Sequence, residues 1–102
     1  MNAISEKALR AFWEIFSDAE APLKEWVKTF RNTDFTDFNH VRSVYPHADY
    51  KAPLTIFNIG GNKYRLLVDI NYGGRRVLVR SVLTHEEYSK LKLNKVEVRE
   101  NL

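Results

Sequence analysis

Apolar residues in the first half of the chain recur at helical spacing. Leu9, Phe12, Trp13 and Phe16 fall at i, i+3, i+4 and i+7, which predicts a helix to about Phe16 with Ser5 as its N-cap. Leu23, Trp26, Val27 and Phe30 repeat the spacing in a second helix beginning after Asp18 or Ala21. Pro22 is tolerated in its first turn, where the amide that proline lacks would have no intrahelical partner. Thr36 is placed to cap a short third helix with Phe38, Val41 and Val44 inward, ending before Pro46. These stripes, both tryptophans included, read as core.

The period then changes from 3.6 to 2. Tyr45 to Pro53, with two of the three prolines, reads as a loop, and Leu54 to Ile59 as a strand turned by Gly60-Gly61 onto the next. That turn would set Phe57 opposite Tyr64 and Asn58 opposite Lys63. From Lys63 onward Tyr64, Leu66, Val68 and Ile70 share one apolar strand face, and Lys63, Arg65, Leu67 and Asp69 share the other. With Gly73-Gly74 as the centre of a two-residue hairpin, Ile70 faces Val77, Val68 faces Val79, Leu67 faces Arg80 and Arg65 faces Val82. The apolar face then takes Val77, Val79, Ser81 and Leu83, and Arg65 and Arg80 become diagonal neighbours roughly 5 to 8 Å apart at the backbone. The tail, KVEVRE, alternates Val96 and Val98 and reads as an edge strand or a frayed end. The expected fold is α+β in one domain, 1–102: N-terminal helices over about 1–46, packed on a small antiparallel sheet over about 54–91, with a tail from 92 to 102.

Composition narrows the chemistry. The 102 residues include no cysteine, which excludes disulfides and thiol catalysis, and a zinc site would have to draw on three scattered histidines and carboxylates. Neither a metal nor a cofactor is expected. No apolar run approaches a membrane span, so a cytoplasmic protein is the default. The net charge of +3 is unevenly spread: residues 1–50 hold six Lys/Arg and eight Asp/Glu, −2, whereas 51–102 hold ten and five, +5. A basic half with a Lys/Arg-rich sheet suits a polyanion such as nucleic acid or an acidic protein segment, and a solvated face without ligand is the bland alternative.

The second hairpin runs into Thr84-His85-Glu86-Glu87-Tyr88. Thr84 and Glu87 fit a capping box, which would start a helix directly after the strand and bring His85 and Tyr88 onto one side of its first turn. Lys63, Arg65, Arg80, His85 and Tyr88 then form a candidate catalytic set with no evident nucleophile of its own. Such a set can bind a phosphodiester and assist attack by the 2′-OH of RNA itself. Arginines would hold the phosphate and stabilise growing charge, and His85, Tyr88 or Lys63 would move protons. A lysine beside two arginines would have a lowered pKa. Asn58, Asn71, Tyr72, Arg75 and Arg76 are candidates for extending the RNA contact. Tyr72 could equally pack on its turn, and Arg75 and Arg76 could be solvated hairpin charges. His40 and His47 read as structural or solvent-facing.

At these residues a resemblance becomes specific. FNI, GNKYRL, INY, an Arg on the following strand and THxEY, together with ALRAFWE, DAEAPLKEW and YPHAD, resemble the HigB toxins of bacterial type II toxin-antitoxin modules, in the RelE-like group. The likeness covers roughly positions 7 to 90, and the ending Ser89-Lys90-Leu91 departs from the acidic one usual in the family. The resemblance implies a microbial-RNase-like α+β fold, metal-independent cleavage of mRNA, often on the ribosome, and a HigA-like antitoxin with a helix-turn-helix domain. It also implies that Arg65, Arg80 and Tyr88 occupy functional positions, with Lys63 and His85 belonging to the motif. Two rivals use the same cationic face: a non-enzymatic RNA-binding module, and a protein-interaction domain for an acidic partner. Direct DNA binding without an antitoxin is not expected, since no pair of recognition helices carries basic exposed positions.

Overall fold

The computed structural model describes residues 1–91, and the tail assigned above to an edge strand or frayed end lies outside them. Helices form where the apolar period is 3.6. They are α1 (Lys7–Ile15), a 3-10 turn (Ser17–Ala19), α2 (Glu20–Arg31) and α3 (Phe38–Val44), with α4 running over 85–91. Strands β1 (Ala3–Ile4), β2 (Asp49–Lys51), β3 (Leu54–Ile59), β4 (Tyr64–Asn71) and β5 (Arg76–Thr84) make one sheet in the order β1-β5-β4-β3-β2. The fold is α+β, with helices packed on one sheet.

The core lies between α2 and the near face of the sheet. Leu23, Trp26, Val27 and Phe30 are all buried, as their spacing predicts, and meet Phe57, Leu66, Val68, Val77 and Val79. Phe57 sits at the centre of an aromatic cluster. Its ring centroid lies 5.5 Å from Trp26, 5.4 Å from Phe30 and 5.0 Å from Tyr45, each edge to face. Such pairs add roughly 0.5–1.5 kcal/mol each beyond area burial. On α1, Leu9 is fully buried, while Phe12 and Phe16 stack at 4.6 Å and cover Tyr64.

Several local expectations are corrected. The sheet is mixed, because the two-residue β1 runs parallel to β5. Ser5 does not cap α1, whose N-cap is Glu6; its hydroxyl instead accepts the Val79 N–H at 2.9 Å and continues the seam where β1 stops. Asp37, not Thr36, caps α3 by accepting the His40 N–H at 2.8 Å, since the extended backbone that precedes the first helical turn falls at Asp37 (φ −165°, ψ −179°). Val44 is 45% exposed and Tyr45 takes the inward place, because α3 ends there and the chain turns. The stretch read as a loop contains β2, which pairs with β3. The β3–β4 ladder closes at Ile59 and Tyr64, so Phe57 faces Leu66 and Asn58 faces Arg65. The turn spans four residues rather than two, with left-handed backbone at Gly60 (φ 62°) and Gly61 (φ 70°). A shift of two residues leaves every side chain of the two strands on its expected face and places Lys63 in the turn, outside the ladder.

Removing the central aromatic ring tests this core. Phe57→Ala should cost about 3–5 kcal/mol in urea unfolding, and Val44→Ala should stay within about 0.5 kcal/mol. Equal losses would mean that the inward assignment of Tyr45 over Val44 is wrong.

Candidate functional site

With one sheet face under the helices, alternation delivers Asn58, Arg65, Leu67, Asp69 and Asn71 to the other. Strand β5 keeps the expected register as far as Val68 opposite Val79. Beyond it, Leu67 pairs with Ser81, Leu66 with Val82 and Arg65 with Leu83. Arg80 is therefore the extra residue of a β-bulge, and neither Leu67–Arg80 nor Arg65–Val82 pairing occurs. One added residue reverses the alternation of everything after it. Val82 thus packs against the core, and Ser81 and Leu83, expected on the apolar face, join the open one. Arg80 lies three residues along β5 from Leu83, the partner of Arg65, on the order of 10 Å. That is wider than the diagonal spacing expected.

Arg65 is the most firmly placed of the candidates. One guanidinium nitrogen donates to the carbonyls of Asn62 and Tyr64, both at 3.2 Å, and the group lies over the Tyr88 ring, 5.8 Å from its centroid. Tyr88 is held by the helix that carries it. The Thr84 N–H donates to Glu87 Oε1 at 2.9 Å and the Glu87 N–H to Thr84 Oγ1 at 3.1 Å, which is the reciprocal capping box that the sequence indicates. His85 follows the cap with an exposed side chain, and its N–H donates to the Lys63 carbonyl at 2.9 Å. The start of α4 is thereby fastened to the β3–β4 turn. Asn58, exposed, faces Arg65 from β3.

Arg80 is exposed and its guanidinium stands 3.6 Å from the Asp69 carboxylate. Lys63 is not part of the sheet face. It sits in the four-residue turn, and its ammonium bonds to Asp18 of the 3-10 turn, whose other carboxylate oxygen accepts the Tyr64 hydroxyl. The hydrogen bond to Asp18 raises the Lys63 pKa above its ordinary value, opposite to the lowering expected from two neighbouring arginines. Asp18, held by Lys63 and then Tyr64, titrates below the usual carboxylate range. No local pattern points to Asp18, since it meets Lys63 across 45 positions of sequence.

The remaining candidates cluster around the β4–β5 turn. Asn71 Oδ1 accepts the Gly74 N–H at 2.8 Å, and the Arg75 N–H bonds to the Tyr72 carbonyl at 3.3 Å. The left-handed backbone falls on Arg75 (φ 55°), not on either glycine. Gly74 serves a different purpose: a Cβ there would come within 3.1 Å of the Asn71 side chain. Arg75 faces Asp34 at 3.8 Å, and Arg76 pairs with Asn71 at the end of the ladder. Tyr72 packs against the core, and burial pushes its phenol pKa up. The structure thus brings together Arg65, Tyr88, Asn58 and the backbone of His85 and Lys63. Arg80 and Arg76 stand farther along the same face.

Comparison with known proteins bears on what this face does. Residues 19–91 match the HigB_toxin family, described as the RelE-like toxic component of a toxin-antitoxin system. The chain belongs to this family. It is similar to the mRNA interferase HigB of Escherichia coli strain CFT073, 26% identical over 94 residues covering 89% of this chain and 91% of the relative. It is also similar to the mRNA interferase HigB of Shigella flexneri, 28% identical over 91 residues covering 86% and 88%. Every candidate residue from Asn58 to Tyr88 falls inside the stretch that matches the HigB toxin family. No helix among the described residues is long and apolar enough to cross a membrane.

The Asp18 cluster gives a signed pH dependence. The depressed Asp18 pKa contributes stability that is present above its unfolded value, about 3.9, and is lost as pH falls through the folded value. The raised Lys63 and Tyr64 pKa values contribute stability present below about 10 and lost as pH rises through their folded values. Thermal midpoints from pH 2.5 to 11 should therefore fall at both ends less steeply in Asp18→Asn than in the parent chain. Parallel curves would show that this contact is not formed in solution.

Proposed function

We propose that this toxin is a metal-independent endoribonuclease that cuts mRNA by attack of the RNA's own 2′-OH on the adjacent phosphorus. The observation that carries the reading is the placement of Arg65, braced by two carbonyls and the Tyr88 ring, where α4 meets the sheet. The names of its relatives, mRNA interferases, support it. Arg65 and Arg80 hold the scissile phosphate and stabilise charge growing on its equatorial oxygens. Always charged, they do not carry protons. His85 and Tyr88 at the start of α4 are the groups for proton transfer. Lys63, with its pKa raised by Asp18, contributes charge and a backbone anchor for His85. The P–O5′ bond breaks as the 2′-oxygen bonds to phosphorus, which leaves a 2′,3′-cyclic phosphate and a 5′-hydroxyl. Charge stabilisation and acid/base help each supply on the order of 10² to 10⁴ in rate.

The face buries Ile56 and Leu67 but leaves Asn58, Arg76, Leu78 and Arg80 exposed, an open rim that offers little to hold free RNA in register. A ribosome presenting an extended message supplies that positioning, and the protein accordingly acts in the cytoplasm. Asn58, Asn71, Arg75 and Arg76 extend the contact beyond the cut. Tyr72, packed against the core, serves by fixing the turn that carries them. The partner that silences the toxin is a HigA-like antitoxin with a helix-turn-helix domain, and DNA binding belongs to that partner.

Brief induction of the chain in a bacterial host, followed by mapping of new mRNA 5′ ends, tests the reading. Cuts in coding regions should keep the reading-frame phase and should fall at least about 10²-fold in an Arg65→Ala, Arg80→Ala variant. Unphased cuts would remove the ribosome from the account. A variant that cuts like the parent would remove this face from it, and no cuts at all from soluble, folded protein would leave a binding module.

A further inference from the structure

Strand β5 presents Arg76, Leu78 and Arg80 as successive exposed residues, while Val77 and Val79 between them are buried. Leu78 is 47% exposed, an apolar side chain between two exposed arginines. Beside it lies a groove of about 720 Å³, within the roughly 300–1,000 Å³ typical of small-ligand sites. Its floor is Arg76 and Leu78. One wall is Asp69 with Asn71, and the other is the β1 segment from Asn2 to Ser5 with Arg31.

Charge and neighbours indicate what would enter. Arg31 is already paired with Glu6, and Asp69 with Arg80. Among the described residues no carboxylate lies within ion-pair distance of Arg76. The groove thus offers one uncommitted guanidinium beside an exposed apolar surface, flanked by an amide. That combination suits a nucleotide, whose phosphate is anionic and whose base has an apolar face. The site is also continuous with Arg80, because Asp69 both lines the groove and contacts that residue. Alternate residues of a strand stand about 7 Å apart, so Arg80 and Arg76 form a two-step ladder of cations with Leu78 between.

We propose that the groove at the β1–β5 seam is a binding site for a nucleotide two or three positions from the scissile phosphate, with its phosphodiester on Arg76 and its base over Leu78, since Arg76 lies about 13 Å along β5 from Arg80. The inference rests on the ribonuclease reading above and adds to it a defined RNA path, from Arg65 past Arg80 toward β1. It also gives β1 a task beyond closing the sheet edge, since Asn2 to Ser5 form the wall that limits the groove.

A cycle between protein and RNA tests it. Single-turnover cleavage of a short message is measured in a reconstituted translation reaction, with each linkage up to three nucleotides on either side of the cut replaced in turn by an uncharged methylphosphonate. The parent toxin should lose about tenfold in efficiency with one of these linkages. Arg76→Gln should lose a similar factor on unmodified message and little more on that modified one, while Arg76→Lys recovers most of the loss. Leu78→Ala should raise the half-saturating toxin concentration more than it lowers the maximal rate. Thermal melts of these surface variants, expected to match the parent, separate binding from folding. Losses that multiply for every linkage would overturn the assignment of Arg76 while leaving the ribonuclease reading intact. Failure of the parent toxin to cut the unmodified message would overturn both.

Discussion

Burial of Tyr64, Leu66 and Val68 beneath α1 and α2 is the constraint from which the rest follows. Side chains alternate along a strand, so committing these three inward commits Arg65, Leu67 and Asp69 outward. A slip of one residue would drive a guanidinium under Trp26 and expose a valine, exchanging a filled core for an unpaired buried charge. The aromatic cluster around Phe57 holds the register against that slip. Strand β5 departs from the alternation once, at Arg80. The extra residue keeps Val79 and Val82 both on the core side and leaves Arg80 and Ser81 facing out between them. It thus sets Thr84 opposite Tyr64, and α4 begins where its capping box can bring Tyr88 to Arg65.

The cations of this chain fall into two kinds. Lys63, Arg31 and Arg75 answer carboxylates on other elements, joining the β3–β4 turn to the 3-10 turn, α2 to the start of α1, and the β4–β5 turn to the segment after α2. Arg65 is held by carbonyls and an aromatic ring, partners that leave its positive charge uncancelled. Arg80 lies between these cases. Its contact with Asp69 is exposed and 3.6 Å long, and such pairs contribute about 0–1 kcal/mol, so a phosphate can displace the carboxylate at small cost. An arginine positioned without a counter-charge is already arranged for an anion, and less ordering remains to be done when one binds.

How much of this was legible depended on the range of the interaction. Helical stripes and the capping box are local, and Leu23, Trp26, Val27, Phe30, Thr84 and Glu87 behave as their spacing indicates. The hairpin register was readable near the Gly73-Gly74 turn and failed at Arg80, where neither glycine nor proline marks the bulge. Strand β1 has two residues and pairs in parallel with a segment more than seventy positions away, which no periodicity reveals. At Thr36 and Asp37 two competent caps adjoin, and only the backbone geometry chooses. Lys63 was misjudged for a tertiary reason: an alternation continued one residue too far puts it on the sheet face, whereas the four-residue turn and Asp18 take it to the helical layer.

An open face also bears on when such a site can work. Arginine acting on a phosphate in bulk water gains little, because the interaction between unit charges at 4 Å is about 1 kcal/mol there and about 4 kcal/mol at an effective dielectric of 20. In this chain α1 and α2 lie on the other face of the sheet; on this one Ile56 and Leu67 are buried, Arg65 is half-buried over the Tyr88 ring of α4, and Arg80 stands exposed. On the ribonuclease reading proposed above, whatever lowers the dielectric at Arg80 further is brought by the substrate or by the body that presents it. A message lying across the sheet between this toxin and a second surface would exclude water from both arginines at once, and binding and activation would be a single event.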